Sequence, residues 1–151
     1  MQEHHEPARI EPKSLGDYLE VMSKAVFQSG MSWRVVESKW STIREAFRGF
    51  DAGAVAGLGV REIDELANDS RVIRNRRKIE AIVGNANRMI DLERQHGSFR
   101  DYLRSHGSFD ATTGALRKDF KFLGDSGCYY FLWVVGEQVP PYEEWSVARS
   151  R

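Results

Sequence analysis

Residues 60–90 read VREIDELANDSRVIRNRRKIEAIVGNANRMI. Ile63 and Leu66 fall on one helical face, so a short helix is expected from Val60 to Ala67. Asn68-Asp69-Ser70 is turn chemistry, because short polar side chains bond back to their own backbone. A second helix is expected from about Asn75, since Ile79, Ile82, Val83, Ala86 and Ile90 recur at three- and four-residue spacing. The pattern is a helix, a tight connection and a longer helix. Arg71, Arg74, Arg76, Arg77 and Lys78 cluster where the longer helix begins, with Asn75 among them. Free backbone N–H groups and the positive end of the helix dipole lie at that point, which favours phosphate. Glu62, Asp64, Glu65 and Asp69 come just before, however, and the same cations can form a solvated face balanced by those acids. Charge alone leaves both readings open.

Working outward, the chain is helical almost throughout. Met1 to Lys13, with Pro7 and Pro12, reads as an extended arm, and residues 14–151 as one domain. Ser14 is a candidate N-cap with Asp17 in the first turn, and Leu15, Tyr18, Leu19, Met22 and Val26 form a buried face. Ser29-Gly30 ends that helix. Ser32 can cap the next, over Trp33, Val36 and Trp40, and Ser41 or Thr42 can restart it. Asp51 can cap a short helix over Ala54 to Leu58. Phe120-Lys121-Phe122-Leu123 alone hints at strand alternation and is too short to build a sheet. The 120–136 segment is expected to pack on the long helix. The fold class is all-α.

Composition narrows the function classes. Hydrophobic residues at 41% and charged residues at 29% give a soluble globular balance. No apolar run approaches the roughly 18 residues of a membrane span, and the first residues are too polar for a signal peptide. A lone cysteine, Cys128, excludes an internal disulfide and points to a reducing cytoplasm; it reads as a small buried hydrophobe. With a formal net charge of zero, a nucleic-acid surface must be a local patch.

Several motifs follow one another in a fixed order. They are Phe27-Gln28-Ser29-Gly30-Met31-Ser32-Trp33, Phe47-Arg48-Gly49-Phe50-Asp51, Val72-Ile73-Arg74-Asn75-Arg76 with Lys78-Ile79, and Asn85-Ala86. Gly97-Ser98-Phe99 and Phe120-Lys121-Phe122-Leu123-Gly124 with Cys128-Tyr129 complete the series. Over residues 14–136 the chain resembles the 3-methyladenine DNA glycosylase I family. The resemblance implies a helix-hairpin-helix glycosylase fold, with the hairpin at about 60–90 gripping the DNA backbone.

It also implies a base pocket at Phe27, Gln28 and Trp33, where the tryptophan stacks on the base. DNA contacts fall to Arg71, Arg74, Asn75, Arg76, Arg77, Lys78 and Lys121. Three family features have no match, one of them an N-terminal tyrosine that helps enclose the base. The family's pocket glutamate would fall at Ala25, and its zinc clip lacks a ligand set, since His4 and His5 are adjacent and no cysteine lies near either end. No metal or cofactor is therefore expected. The proline pair at Pro140-Pro141 should stiffen the C-terminal segment, with Tyr142 and Trp145 packing down. Glu20 and Glu37 lie about one helical turn from pocket positions and are the candidate catalytic carboxylates; solvated surface acids are the alternative. The expected function is hydrolysis of the N-glycosidic bond of alkylated purine in duplex DNA, by a monomer in the cytoplasm, associated with the nucleoid. A cationic alkylated adenine needs least help, because its bond to the sugar is already weakened. The alternative is a DNA-binding or damage-recognition module that kept the fold and lost the chemistry.

Overall fold

A computed structural model describes residues 6–149. Among the described residues nine α-helices follow one another: α1 (Leu15–Gln28), α2 (Trp33–Ala46), α3 (Ala52–Ala56), α4 (Val60–Ala67), α5 (Arg76–His96), α6 (Phe99–Leu103), α7 (Phe109–Asp119), α8 (Asp125–Val134) and α9 (Tyr142–Arg149). Among the described residues there is no strand. The caps read from the sequence at Ser14 and Asp51 are made, and Asn75 caps α5. Ser14 Oγ accepts from Asp17 N at 3.3 Å, Asp51 Oδ1 from Ala54 N at 2.9 Å, and Asn75 Oδ1 from Lys78 N at 3.1 Å. Each satisfies one backbone donor that the first helical turn leaves open.

Two expectations are corrected. α2 does not restart at Ser41 or Thr42 but runs unbroken to Ala46. The Thr42 hydroxyl donates to the carbonyls of Lys39 and Arg71, so it serves the helix and the neighbouring loop together. Phe120–Leu123, set aside as too short for a sheet, is a loop, and Phe122 has φ +60°. α8 packs along α1, not along α5; the tie to α5 is made at Lys121, whose backbone is held by Asn85.

α1 sits at the centre, against α2, α3, α5 and α8. Its residues Leu19, Met22, Val26 and Phe27 are fully buried, as are Ile79, Ile82, Ala86 and Met89 of α5. Trp40, Phe50 and Phe47 stack almost parallel, at 5.4 and 5.2 Å between centroids, and close the core beneath α2. Tyr18, Phe99 and Phe131 form a second aromatic cluster that binds α6 and α8 to α1. Burial pushes the Cys128 thiol up to about 12, so it stays protonated and behaves as a small apolar group.

The described part of the arm, from Glu6, has no regular secondary structure, yet it is pinned to the end of α8. Ile10 N donates to the Val134 carbonyl at 2.7 Å, and Trp133 Nε1 to that of Pro7 at 2.8 Å. The Arg9 guanidinium lies 3.9 Å over the Trp133 ring. From the other end, Trp145 of α9 packs 4.4 Å from Tyr129, and the Tyr129 hydroxyl donates to the Pro140 carbonyl at 2.6 Å. Both ends of the described chain are thus fastened to α8 by aromatic packing and hydrogen bonds.

Gly16 allows the closest approach to α1. A Cβ built there would lie 2.6 Å from the Phe50 carbonyl oxygen. Glycine-to-alanine in a helix interior ordinarily stabilises by about 0.5–1 kcal/mol. At this position overpacking by about 1–3 kcal/mol should prevail. Gly16→Ala is therefore expected to lower the thermal midpoint by several degrees, measured by differential scanning calorimetry; a raised midpoint would contradict the close approach.

Candidate active site

Along α1, every residue from Tyr18 to Phe27 is buried except Glu20 and Lys24, and Gln28 continues the same line. The spacing of four places Glu20, Lys24 and Gln28 on one stripe of the helix. On α2, Trp33, Glu37 and Trp40 likewise share a face, at spacings of four and three. These two stripes form the floor of a cavity of about 1120 Å³, closed on other sides by the arm, α8 and α9. All four tryptophans of the chain, Trp33, Trp40, Trp133 and Trp145, line it, with Tyr129, Tyr130, Tyr142 and Phe122. Five acidic side chains (Glu6, Asp17, Glu20, Glu37 and Asp125) border it, against Lys24 and Arg149. The cavity is aromatic and acidic, which suits a flat cation.

The charged groups on the floor are ordered by one another. Glu20 accepts from Trp40 Nε1 at 2.9 Å and from Arg44 Nε at 3.2 Å, so both its oxygens are engaged. Glu37 Oε2 pairs with Lys24 Nζ at 2.7 Å. The Lys24 side chain is largely buried and lies 5.5 Å over the Trp40 ring, whereas the Glu37 carboxylate is half exposed. Tyr130 from α8 faces these acids. Burial, with Glu37 and Glu20 adding to it, pushes its hydroxyl well above the usual tyrosine range, so at neutral pH it remains a hydrogen-bond donor. Ala25, where a family glutamate would fall, is 3% exposed, and Gly127 of α8 approaches it closely. Two small residues meet there.

The expected base-pocket residues divide. Trp33 is 43% exposed and borders the cavity, so it is no part of the core. Gln28 also lines the cavity, and its side chain makes no capping bond among the described residues. Phe27 is corrected: it is fully buried, edge-on to Trp40 and Phe47, and belongs to the core. Glu20 and Glu37 border the same cavity as Trp33 and Gln28. Lys24 and Tyr130 were not anticipated. Spacing from Glu20 and Gln28 could have flagged Lys24, but nothing local announces Tyr130.

The basic cluster also divides. Lys78 is corrected: it is 4% exposed, and its ammonium donates to the carbonyls of Phe27 at 3.0 Å and Ser29 at 2.5 Å. It cannot reach a phosphate; it ties the end of α1 to the start of α5, beside Ser29 at the cavity rim. Burial lowers its pKa. Arg71 is bound to Asp69 and Glu45, and Arg76 to Asp64 and Glu80, so the balanced-face reading holds for these two. Asn75 is occupied as the N-cap of α5. Arg74, Arg77 and Lys121 are exposed and make no ion pair among the described residues. Among the described residues no group of three or more His, Cys, Asp or Glu side chains could hold a metal; His4 and His5 lie outside them.

A family model described as methyladenine glycosylase matches residues 11–118. DNA-3-methyladenine glycosylase 1 of Escherichia coli (strain K12) is 32% identical over 130 residues, covering 72% of this chain and 70% of that protein. The DNA-3-methyladenine glycosylase of Haemophilus influenzae is likewise 32% identical over 130 residues, with the same coverage. A crystal structure of 3-methyladenine DNA glycosylase I superposes with a TM-score of 0.74 at 27% identity, over 84% of this chain and 81% of that one. The corresponding Staphylococcus aureus protein gives 0.73 at 25% identity, over 84% and 79%. The chain belongs to the methyladenine glycosylase family.

Lys78 gives a direct test of how the site is held together. Lys78→Met keeps the bulk and removes the ammonium, leaving two carbonyls without their donor, at a cost of about 1–3 kcal/mol each. Urea titration should show a loss of at least about 2 kcal/mol. Stability equal to wild type would mean that the ammonium does not hold the end of α1.

Proposed function

We propose that the chain is a DNA N-glycosylase of base-excision repair that hydrolyses the bond between deoxyribose and a cationic, 3-methyladenine-like purine. The observation that carries this reading is the cavity itself, in which all four tryptophans and a surplus of carboxylates surround one space, with Ser29 at its rim bonded to Lys78 of α5. A solved relative, 3-methyladenine DNA glycosylase I, is in complex with 3-methyladenine, which supports the substrate class. The described residues include no helix long and apolar enough to cross a membrane. We take the protein to act as a monomer in the cytoplasm, in contact with nucleoid DNA. Of the cations expected to meet DNA, Arg74, Arg77 and Lys121 make no ion pair among the described residues, and they are assigned to the backbone phosphates.

The chemistry follows from charge. A purine methylated at N3 carries a positive charge while attached to the sugar. When the C1′–N9 bond breaks, its electron pair stays with the base, which leaves neutral. The sugar becomes an oxocarbenium ion, water adds at C1′, and the water's proton passes to a carboxylate. Trp33 stacks on the cationic base, worth about 2 kcal/mol when desolvated. The Gln28 amide bonds a base edge. Of the two candidate acids, Glu37 is better placed to receive the proton, because both Glu20 oxygens are engaged while Glu37 has one oxygen outside its pair with Lys24. Negative charge fixed near C1′ also stabilises the cationic sugar as it forms. Neutral bases gain from neither effect.

Release of 3-methyladenine from methylated duplex DNA, followed by chromatography, tests the reading. Wild type should release the methylated base and leave adenine in place. Trp33→Ala should lower kcat/KM about thirtyfold, from the cation–aromatic contribution. Glu37→Gln should lower kcat about tenfold or more. Intact DNA binding with no base release by wild type would reject the enzyme and leave a damage-recognition module.

A further inference from the structure

Phe122, in the loop between α7 and α8, has φ +60° and is 38% exposed. Phe50 shares the positive φ, but it is fully buried between stacked rings, and that packing offsets the unfavourable backbone. Phe122 has no comparable enclosure. Its loop is nevertheless held firmly. Asn85, 2% exposed on α5, donates to the Lys121 carbonyl at 3.1 Å and accepts from Lys121 N at 2.9 Å. Phe120 and Leu123, both buried, anchor the loop on either side. An aromatic ring is thus presented outward from a fixed loop in a conformation that bulky residues avoid.

Its position is specific. Phe122 borders the acidic aromatic cavity and also a second hollow of about 470 Å³ that includes Arg117, Lys118 and Gly124. Ser29 borders both as well. Arg117 is paired with Asp125, whereas Lys118 and Lys121 are exposed and carry no ion pair among the described residues. An exposed ring flanked by unpaired cations, at the lip of a cavity that takes a base, fits the stacked bases of duplex DNA. Turning a nucleotide out of the helix leaves a gap, and apolar side chains at such steps keep the duplex open.

We propose that Phe122 is the wedge that fills this gap, stacking on the bases beside the extruded nucleotide, while Lys118 and Lys121 meet the adjoining phosphates. The assignment rests on the glycosylase reading above. It makes Phe122 a positioning residue: it touches the DNA and not the reacting bond.

Phe122→Gly is the cleanest variant, because glycine accepts φ near +60° without penalty and the fold should survive. Anisotropy would measure its affinity for a duplex with a tetrahydrofuran abasic analogue, and for the intact duplex of the same sequence. A 2-aminopurine beside the analogue would report stacking. The expected result is that wild type prefers the abasic duplex and changes the 2-aminopurine signal. Phe122→Gly should then lose about tenfold affinity for that duplex alone, together with the signal change. Equal affinity and equal signal for the two proteins would overturn the wedge. A wild type that shows the wedge signal yet releases no methylated base would reject the glycosylase reading and support the wedge; one that binds neither duplex would overturn both.

Discussion

One helix has to serve as core and as cavity floor. From Tyr18 to Phe27, α1 buries every side chain but Glu20 and Lys24 against α2, α3, α5 and α8. Only a line one residue wide, continued by Gln28, is left for chemistry. That constraint explains the polarity of the stripe, since a wider polar face would leave the core unfilled and an apolar one would close the cavity. It also explains why the charges on the stripe are engaged. Glu20 is held by Trp40 and Arg44, and Lys24 by Glu37, so partly buried charges are paired rather than stranded.

The second dependency runs from the hairpin to the cavity. Lys78 lies in the first turn of α5 and spends its ammonium on two carbonyls at the end of α1. Those carbonyls are acceptors that the last turn of a helix leaves open, and a cation there also meets the negative end of the dipole. The element proposed to hold the DNA backbone is therefore fixed to the rim of the space proposed to hold the base. Asn85, further along α5, clamps the loop that carries Phe122. One helix sets the position of both rims.

Local patterns were legible in the sequence because they are decided locally. The apolar period gave the helices, and the hydroxyl of Ser14 and the carboxylate of Asp51 gave two of their starts. The same local logic misled at Ser41 and Thr42, where the Thr42 hydroxyl bonds into its own helix and to Arg71. The basic cluster could not be sorted from the sequence. Arg71 is claimed by Glu45, 26 residues away, Arg76 by Asp64, 12 away, and Lys78 by carbonyls 49 and 51 residues away. Glu20 and Glu37 were found by helical spacing, but their meeting in one cavity depends on how α1 and α2 cross. The convergence of Trp33, Trp40, Trp133 and Trp145 likewise comes from tertiary packing, since two lie on α2 and the others on α8 and α9, far along the chain.

The central claim is that this cavity selects a flat cation, and the four tryptophans that line it can report on that directly. Tryptophan fluorescence should be titrated with 3,9-dimethyladeninium, a permanent cation shaped like the methylated base, and with neutral 9-methyladenine. The account predicts quenching by both, with the cation bound at least about tenfold more tightly because its charge faces aromatic rings and carboxylates. Equal affinity for the two, or no change in fluorescence with the cation, would contradict it.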